Sequence, residues 1–369
     1  RCFRDEDLRQ DRQPEFTQID LEMSFVDQDD VISIQEGFLK RVFKETLNVD
    51  INTPLPRMTW DEAMERYGSD KPDTRFGFEL KKLNDVVKNC QFKVFTDCLA
   101  NGGDVRGICI DGGSEKFSRK DIDKLTDASK AYGAKGLVWI RVNEDEIASS
   151  VNKFFSQDEL KEIAKVFDAK SNDLILICSD KAKVTYDTLG FLRREIARQM
   201  GLLDDKKFNL LWVVDFPLFE KSKETGQITS SHHPFTRPKE SEAQYLDTDP
   251  LRVHASAYDI VINGYEAGGG SLRIYDQKMQ QKIFQLLGLT DEDIKRKFGF
   301  FIDAFKYGTP PHAGIAFGLE RLTMVLSGTN NIRDVIAFPK NLAAACPMSN
   351  SPREVDQAQL DELGIMIKK

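Results

Sequence analysis

The chain has 369 residues, 40% of them hydrophobic and 30% charged, with a formal net charge of −8. That length supports a full core and more than one domain. The acidic balance argues against wholesale coating of nucleic acid, though not against a local basic track.

No apolar run approaches the roughly 18 residues of a membrane span. No signal peptide is visible in a chain that begins at Arg1. Cys2, Cys90, Cys98, Cys109, Cys178 and Cys346 form neither a CxxC pair nor a metal spacing, which points to a reduced, cytoplasmic setting.

Ten of the first twenty residues are charged. From Glu15 an alternation sets in. Thr17, Ile19, Leu21, Met23 and Phe25 fall on one face of a strand, and Phe16, Gln18, Asp20, Glu22 and Ser24 on the other. Arg1–Glu6 is expected as the antiparallel partner, with Asp7–Pro14 as a charged hairpin loop. A charged hairpin alone is a solvated surface feature. Phe16 beside an amide and carboxylates is not, and it reads as the wall of a pocket for a flat ligand.

A helix is expected over Val31–Leu47, followed by the segment TWDEAMERYGSDKPDTRFG. The middle of the chain changes character. Strand-like runs (GDVRGICI, KGLVWIRV, DLILICSD) alternate with amphipathic stretches (SRKDIDKLTDASKAYG, QDELKEIAKVF), without a histidine or a clustered acid that would carry chemistry. NLLWVVDFPLFE then resumes an apolar strand. The expected division is therefore 1–87, an inserted α+β module at 88–205, and 206–369 completing the first domain.

Three later stretches could carry chemistry. In AYDIVINGYEAGGGSLRIYD, Ile260 and Ile262 are expected to share a face with Glu266, while Asp259, Val261 and Asn263 take the other. Gly268-Gly269-Gly270-Ser271 would link that strand to a second one holding Arg273. A lone GGGS is a flexible connector, but between strands it lets the backbone approach a ligand. Asp259 and Glu266 are hard oxygen donors suited to Mg²⁺, and Arg273 either forks onto a ligand's carboxylate or phosphate or makes an ion pair on the strand face. In SSHHPFTRP, His232 and His233 read either as surface residues of a loop or as imidazoles facing an anionic substrate, and no other ligand stands at zinc spacing. In PPHAGIAFGLERLTMVLSG, Gly314, Ala316 and Gly318 make the small face of a strand. The following helix has Leu322, Val325 and Leu326 as its apolar side. Arg321 sits in that helix's first turn, where a cation opposes the macrodipole, and a bound phosphate or pairing with Glu320 or another acid would account for it. Together these pieces ask for a nucleotide triphosphate, a divalent ion and a small acid.

FRDEDLRxDRxPEFTQID resembles motif 2 of the class II aminoacyl-tRNA synthetases, and GIAFGLER with its apolar helix resembles their motif 3. HHPFT, NGYEAGGGSLRI, YGSDKPDTR and an insertion of this size are similar to the bacterial-type aspartyl-tRNA synthetases. The resemblance implies an α+β fold, in which an antiparallel-sheet catalytic core flanked by helices carries an inserted, GAD-like α+β domain.

It also implies roles for individual residues. Arg4 would hold the ATP α-phosphate and the aspartate α-carboxylate. Asp5, Glu6, Gln13 and Phe16 would meet ATP, with Glu6 on the adenine amino group and Phe16 stacked on the ring. Gly318, Leu319, Glu320 and Arg321 would form the γ-phosphate pocket. Asp259 and Glu266 would hold Mg²⁺. Arg273, His232 and His233 would take the substrate's side-chain carboxylate, and Gln18 and Asp20 would position the amino acid.

The implied partners are ATP, L-aspartate and tRNA(Asp), with tRNA(Asn) left open, in a cytoplasmic homodimer. The chain begins within motif 2, so an anticodon-binding region and motif 1 are expected to be missing from it. Glu320 stands where many of the subfamily have Asp. Asparaginyl-tRNA synthetase is the nearest rival, but Arg273 favours a negative side chain over an amide.

Overall fold

The structure is a computed structural model and describes residues 1–5, 8–144, 146–222 and 224–368. Its strands, in chain order, begin with a small hairpin of β1 (Cys2–Phe3) and β2 (Glu15–Phe16). Next come β3 (Gln18–Ser24) and β4 (Arg57–Thr59), then β5 (Lys81–Lys82), β6 (Asp104–Ile110), β7 (Val138–Val142), β8 (Ile147–Ser149) and β9 (Leu174–Asp180). After β10 (Leu210–Val214) and a short β11–β12 hairpin (Phe219–Lys221, Ile228–Ser230) follow β13 (Ala257–Ile262), β14 (Tyr265–Leu272) and β15 (His312–Gly318).

They form two main sheets. The first has the order β3-β15-β14-β13-β10-β4 and is antiparallel except for β10 against β4. A parallel neighbour requires a crossover connection, and here residues 60–209 supply it. That crossover contains the whole second sheet, of order β5-β6-β9-β7-β8. The second sheet also takes in Lys81–Lys82, and the Leu83 N–H donates to the Val105 carbonyl. Its packed elements thus begin ahead of the expected boundary at residue 88.

The long helix Gln28–Leu47 starts three residues before the expected Val31. Asp27 caps it, with Asp30 completing a capping box, and Asn48 ends it in the left-handed region. Val31, Ile32, Leu39 and Phe43 form its buried stripe and pack on Trp212, Ile315 and Phe317 of the first sheet. The buried Glu36 accepts hydrogen bonds from the Trp212 indole and the Leu55 N–H, so its carboxylate is not stranded among apolar atoms. In the inserted module the buried strands β6 and β9 lie between two apolar clusters, one on each face.

Four local expectations are corrected. Of the expected Arg1–Glu6 strand, only Cys2–Phe3 is strand among the described residues, and Glu6 lies outside them. The alternation of β3 stops at Ser24, because Phe25 turns to a φ of 60° and is 80% exposed. Gly268–Gly270 is no connector but lies within β14. The connector is Asn263-Gly264, both with positive φ, in a tight hairpin turn. Counting alternation through that turn misplaced Glu266. It pairs across from Val261, and a register shift next to Val261 brings Asp259 opposite Gly269, so Glu266 lies on the Asp259 side.

Candidate active site

A cavity of about 610 Å³ opens on the face of the first sheet away from the Gln28–Leu47 helix. Of the expected site residues, Arg4, Gln13, Phe16, Gln18, Asp20, His232, His233, Asp259, Glu266, Arg273, Gly318, Glu320 and Arg321 line it. Asp5 and Leu319 are exposed and do not. Glu6 lies outside the described residues.

The glycine tract explains how so many side chains share one face. A Cβ on Gly270 would collide with the Gly314 carbonyl oxygen of the adjacent strand, one on Gly269 with the Asp259 carboxylate, and one on Gly314 with Glu22. Glycines there leave room for side chains from the neighbouring strands to lie across the sheet.

At one end, the Arg4 guanidinium lies 5.2 Å from the Phe16 ring centroid, a cation over an aromatic wall. Arg321 donates from Nη1 to the Glu266 carbonyl at 2.8 Å and from Nη2 to the Asp11 carbonyl at 3.2 Å, while its Nε is buried without a partner among the described residues. A cation in the first turn of the Leu319–Leu326 helix is thus accommodated by carbonyl oxygens and by the Asp11 carboxylate, 3.8 Å from Nη2. Gln13 is 1% exposed, and its amide oxygen and nitrogen both engage the Lys340 main chain. Glu320 is also turned inward, its carboxylate accepting from the Thr17 N–H at 2.8 Å. These two residues brace the pocket wall.

Deeper in, Asp259 has its carboxyl pushed well above the usual range, first by burial and then by the charges of Glu266 and Asp70, with Lys71 opposing. Two hard carboxylates that repel each other form a donor set suited to a divalent cation such as Mg²⁺, which would relieve that repulsion. The residues fit the ion.

At the other end, Arg273 is already paired. Its Nε donates to Glu22 Oε1 at 2.9 Å, Nη2 lies 2.7 Å from that same oxygen, and Nη1 reaches Ser271 Oγ and His233 Nε2 at 2.7 Å. Arginine cannot accept, so His233 Nε2 is the acceptor of that contact, while Nδ1 lies 3.3 Å from the Phe235 N–H and 3.4 Å from Thr236 Oγ1. Burial and the Arg273 charge hold the His233 pKa down to about 4, which keeps the ring neutral. Burial also lowers His232, which packs edge-on against Phe216.

Sequence reasoning left Glu22, Ser271 and Thr236 without a role here. The alternation had placed Glu22 on the Gln18–Asp20 face, but nothing local says that its partner lies 251 positions away. His254 pairs with Glu242 and Asp61 and does not line the cavity.

Residues 1–342 match the family described as tRNA synthetases class II (D, K and N). The chain is 58% identical over 370 residues to an aspartate–tRNA ligase of Ruminiclostridium cellulolyticum, covering 100% of this chain and 62% of that protein. It is 54% identical over 370 residues to an aspartate–tRNA(Asp/Asn) ligase of Lachnoclostridium phytofermentans, with the same coverage. The chain thus spans 62% of the length of these relatives. A solved structure of Entamoeba histolytica asparaginyl-tRNA synthetase with asparaginyl-adenylate aligns with a TM-score of 0.43 and 15% identity, over 94% of this chain and 52% of that one. Motif, pocket and family match agree: this chain belongs to the class II tRNA synthetases of the D, K and N family.

Proposed function

We propose that the protein containing this chain is an aspartate–tRNA ligase, which activates L-aspartate with ATP and transfers it to the 3′ end of tRNA(Asp). The observation that carries the reading is Arg273, whose Nε and Nη2 both meet one carboxylate oxygen of Glu22, at 2.9 and 2.7 Å, beside a neutral His233. A guanidinium fork suits a carboxylate, whereas an amide side chain would leave it half-unpaired. The printed names of the relatives point to the same substrate, and that of the Lachnoclostridium protein extends it to tRNA(Asn).

On this reading ATP lies toward Arg4, Phe16 and Arg321, and aspartate toward Arg273, His232 and His233, with Gln18 and Asp20 alongside. An oxygen of the aspartate α-carboxylate attacks the α-phosphorus, the bond to the β-phosphate oxygen breaks, and pyrophosphate leaves. Arg4 gathers the two reacting groups, and Arg321 receives the negative charge of the departing phosphates. No protein nucleophile is needed, so positioning and charge stabilisation supply the catalysis. Asp259 and Glu266 would hold Mg²⁺, which when bound neutralises phosphate charge. A ribose hydroxyl of the tRNA then takes the aspartyl group from the adenylate.

The division into a core at 1–87 and 206–369 with an inserted module at 88–205, a homodimeric assembly and a cytoplasmic location complete the reading. No helix among the described residues is long and apolar enough to cross a membrane.

The test is ATP–pyrophosphate exchange with L-aspartate and, in parallel, with L-asparagine, on this chain and on the full-length protein that contains it. Exchange driven by aspartate alone supports the reading. Exchange driven by asparagine, or none in the full-length protein, overturns it.

A further inference from the structure

One helix of the inserted module, Ala182–Gln199, packs against both the 67–78 loop and the β13–β14 turn of the first sheet. Arg193 on that helix is 1% exposed and lies between the rings of Tyr67 and Phe76, at 4.7 and 4.8 Å from their centroids. It donates from Nε to the Phe78 carbonyl at 2.9 Å, and from Nη2 to the carbonyls of Gly77 at 2.9 Å and Asp73 at 3.3 Å. One guanidinium thus gathers the whole 67–78 loop, the YGSDKPDTR segment whose role the motif reading left unassigned. At the loop's start, Gly68 meets Gly190 backbone to backbone, an approach that leaves no space for a Cβ on either.

The next residue on the helix, Arg194, reaches the first sheet. It donates from Nη1 to the Gly264 carbonyl at 3.3 Å and lies 4.9 Å from the Tyr265 ring centroid. The loop touches the same turn: a Cβ on Gly264 would stand 2.9 Å from Asp73 Cβ. Asn263 is held independently, its side chain bonded to Asn209 and Lys207. Glu266 follows two residues after Gly264, and its carbonyl receives Arg321. Arg273 is nine residues from the turn and anchored elsewhere, on Glu22 and His233.

We propose that Arg193 and Arg194 are positioning residues through which the inserted module sets the nucleotide side of the pocket, Arg193 by fixing the 67–78 loop and Arg194 by fixing the turn that precedes Glu266. The inserted module is then part of the working site rather than an appendage. The assignment of the Glu266 end to ATP rests on the ligase reading above.

The test is Arg194→Met in the full-length protein, which keeps an apolar chain on Tyr265 and removes the hydrogen bond to Gly264. Losing one such bond is expected to weaken the ATP KM, and the Kd for a fluorescent ATP analogue, about five- to tenfold. The aspartate KM should stay within about twofold. Arg194→Lys, able to donate to Gly264 and sit over Tyr265, should recover most of the loss. Arg193→Lys should show the same split on top of a lower melting temperature.

A merely structural role would lower the melting temperature and leave both substrate constants alone. That result, or equal losses for ATP and aspartate, overturns the inference. The analogue Kd is read without aspartate. A wild type that binds nucleotide but shows no aspartate-dependent exchange therefore removes the ligase reading and still lets the variant decide this one. A wild type that binds no nucleotide overturns both.

Discussion

The two sheets of this molecule solve different problems. In the inserted module β6 and β9 are buried along nearly their whole length, with an apolar cluster on either side. Its surface helices begin on serine caps, Ser118 and Ser156, each with a capping box. Every local signal there points to one packed fold. In the first sheet, one face packs on the Gln28–Leu47 helix in the same ordinary way, while the other carries Gly269 and Gly314, two like-charged carboxylates and an arginine paired with Glu22. That face is expensive by the rules that build the module, and it is where the cavity lies. Stability and chemistry have been assigned to opposite sides of one sheet.

Substitutions can break or sharpen this contrast. The largest effect should come from Gly270→Ala, because the added methyl meets the Gly314 carbonyl of the neighbouring strand rather than a movable side chain. A loss of about 3 kcal/mol or more is expected, read as a collapse of the melting transition; an unchanged melting curve would contradict the close approach.

Arg273→Lys comes next. A point charge cannot fork a carboxylate, so the aspartate KM should rise about 100-fold while the ATP KM moves little. Equal losses for the two substrates would remove Arg273 from side-chain recognition.

The pH response of His233 should be smaller. Its folded pKa of about 4 lies below the ordinary histidine value, so the neutral ring's contribution is fully present above pH 6.5 and is lost as pH falls toward 4. On the order of 2 kcal/mol is at stake. His233→Asn should flatten this part of the stability profile measured by denaturant titration, and a variant with the wild-type slope would refute the assignment.

Smallest is Ser118→Ala in the module, where losing a helix cap costs about 1 kcal/mol. It should lower the melting temperature by a few degrees and leave both substrate constants unchanged.

How far the sequence could be read follows the same divide. The alternation through β3, the helix behind it and the strands of the module were legible because each is a local period matched to a local burial pattern. Motif residues such as Arg4, Phe16, Arg273 and Arg321 were legible as a resemblance, and the structure brings them to one cavity. What was not legible depends on pairing between distant segments. Glu266 was assigned to the wrong face because alternation was counted through the Asn263-Gly264 turn instead of across the hairpin. The parts of Gln13 and Glu320 in bracing the wall arise from Lys340 and Thr17, partners 327 and 303 positions away. No window over the sequence contains both members of such pairs.

The neighbour of β3 in the first sheet has a consequence for the making of the protein. β3 pairs on one side with β15 alone, over a register running from Gln18 opposite Gly318 to Ser24 opposite His312. The ribosome must therefore add about 290 residues after Ser24 before that partner exists, which takes roughly 15–60 s at the usual 5–20 residues per second. The module between β4 and β10 has all of its own strands well before then and can close first. For that interval the strand bearing Gln18, Asp20 and Glu22 waits without its ladder. Its charged and amide face, needed later by the pocket, is also what makes it a poor template for pairing with another chain.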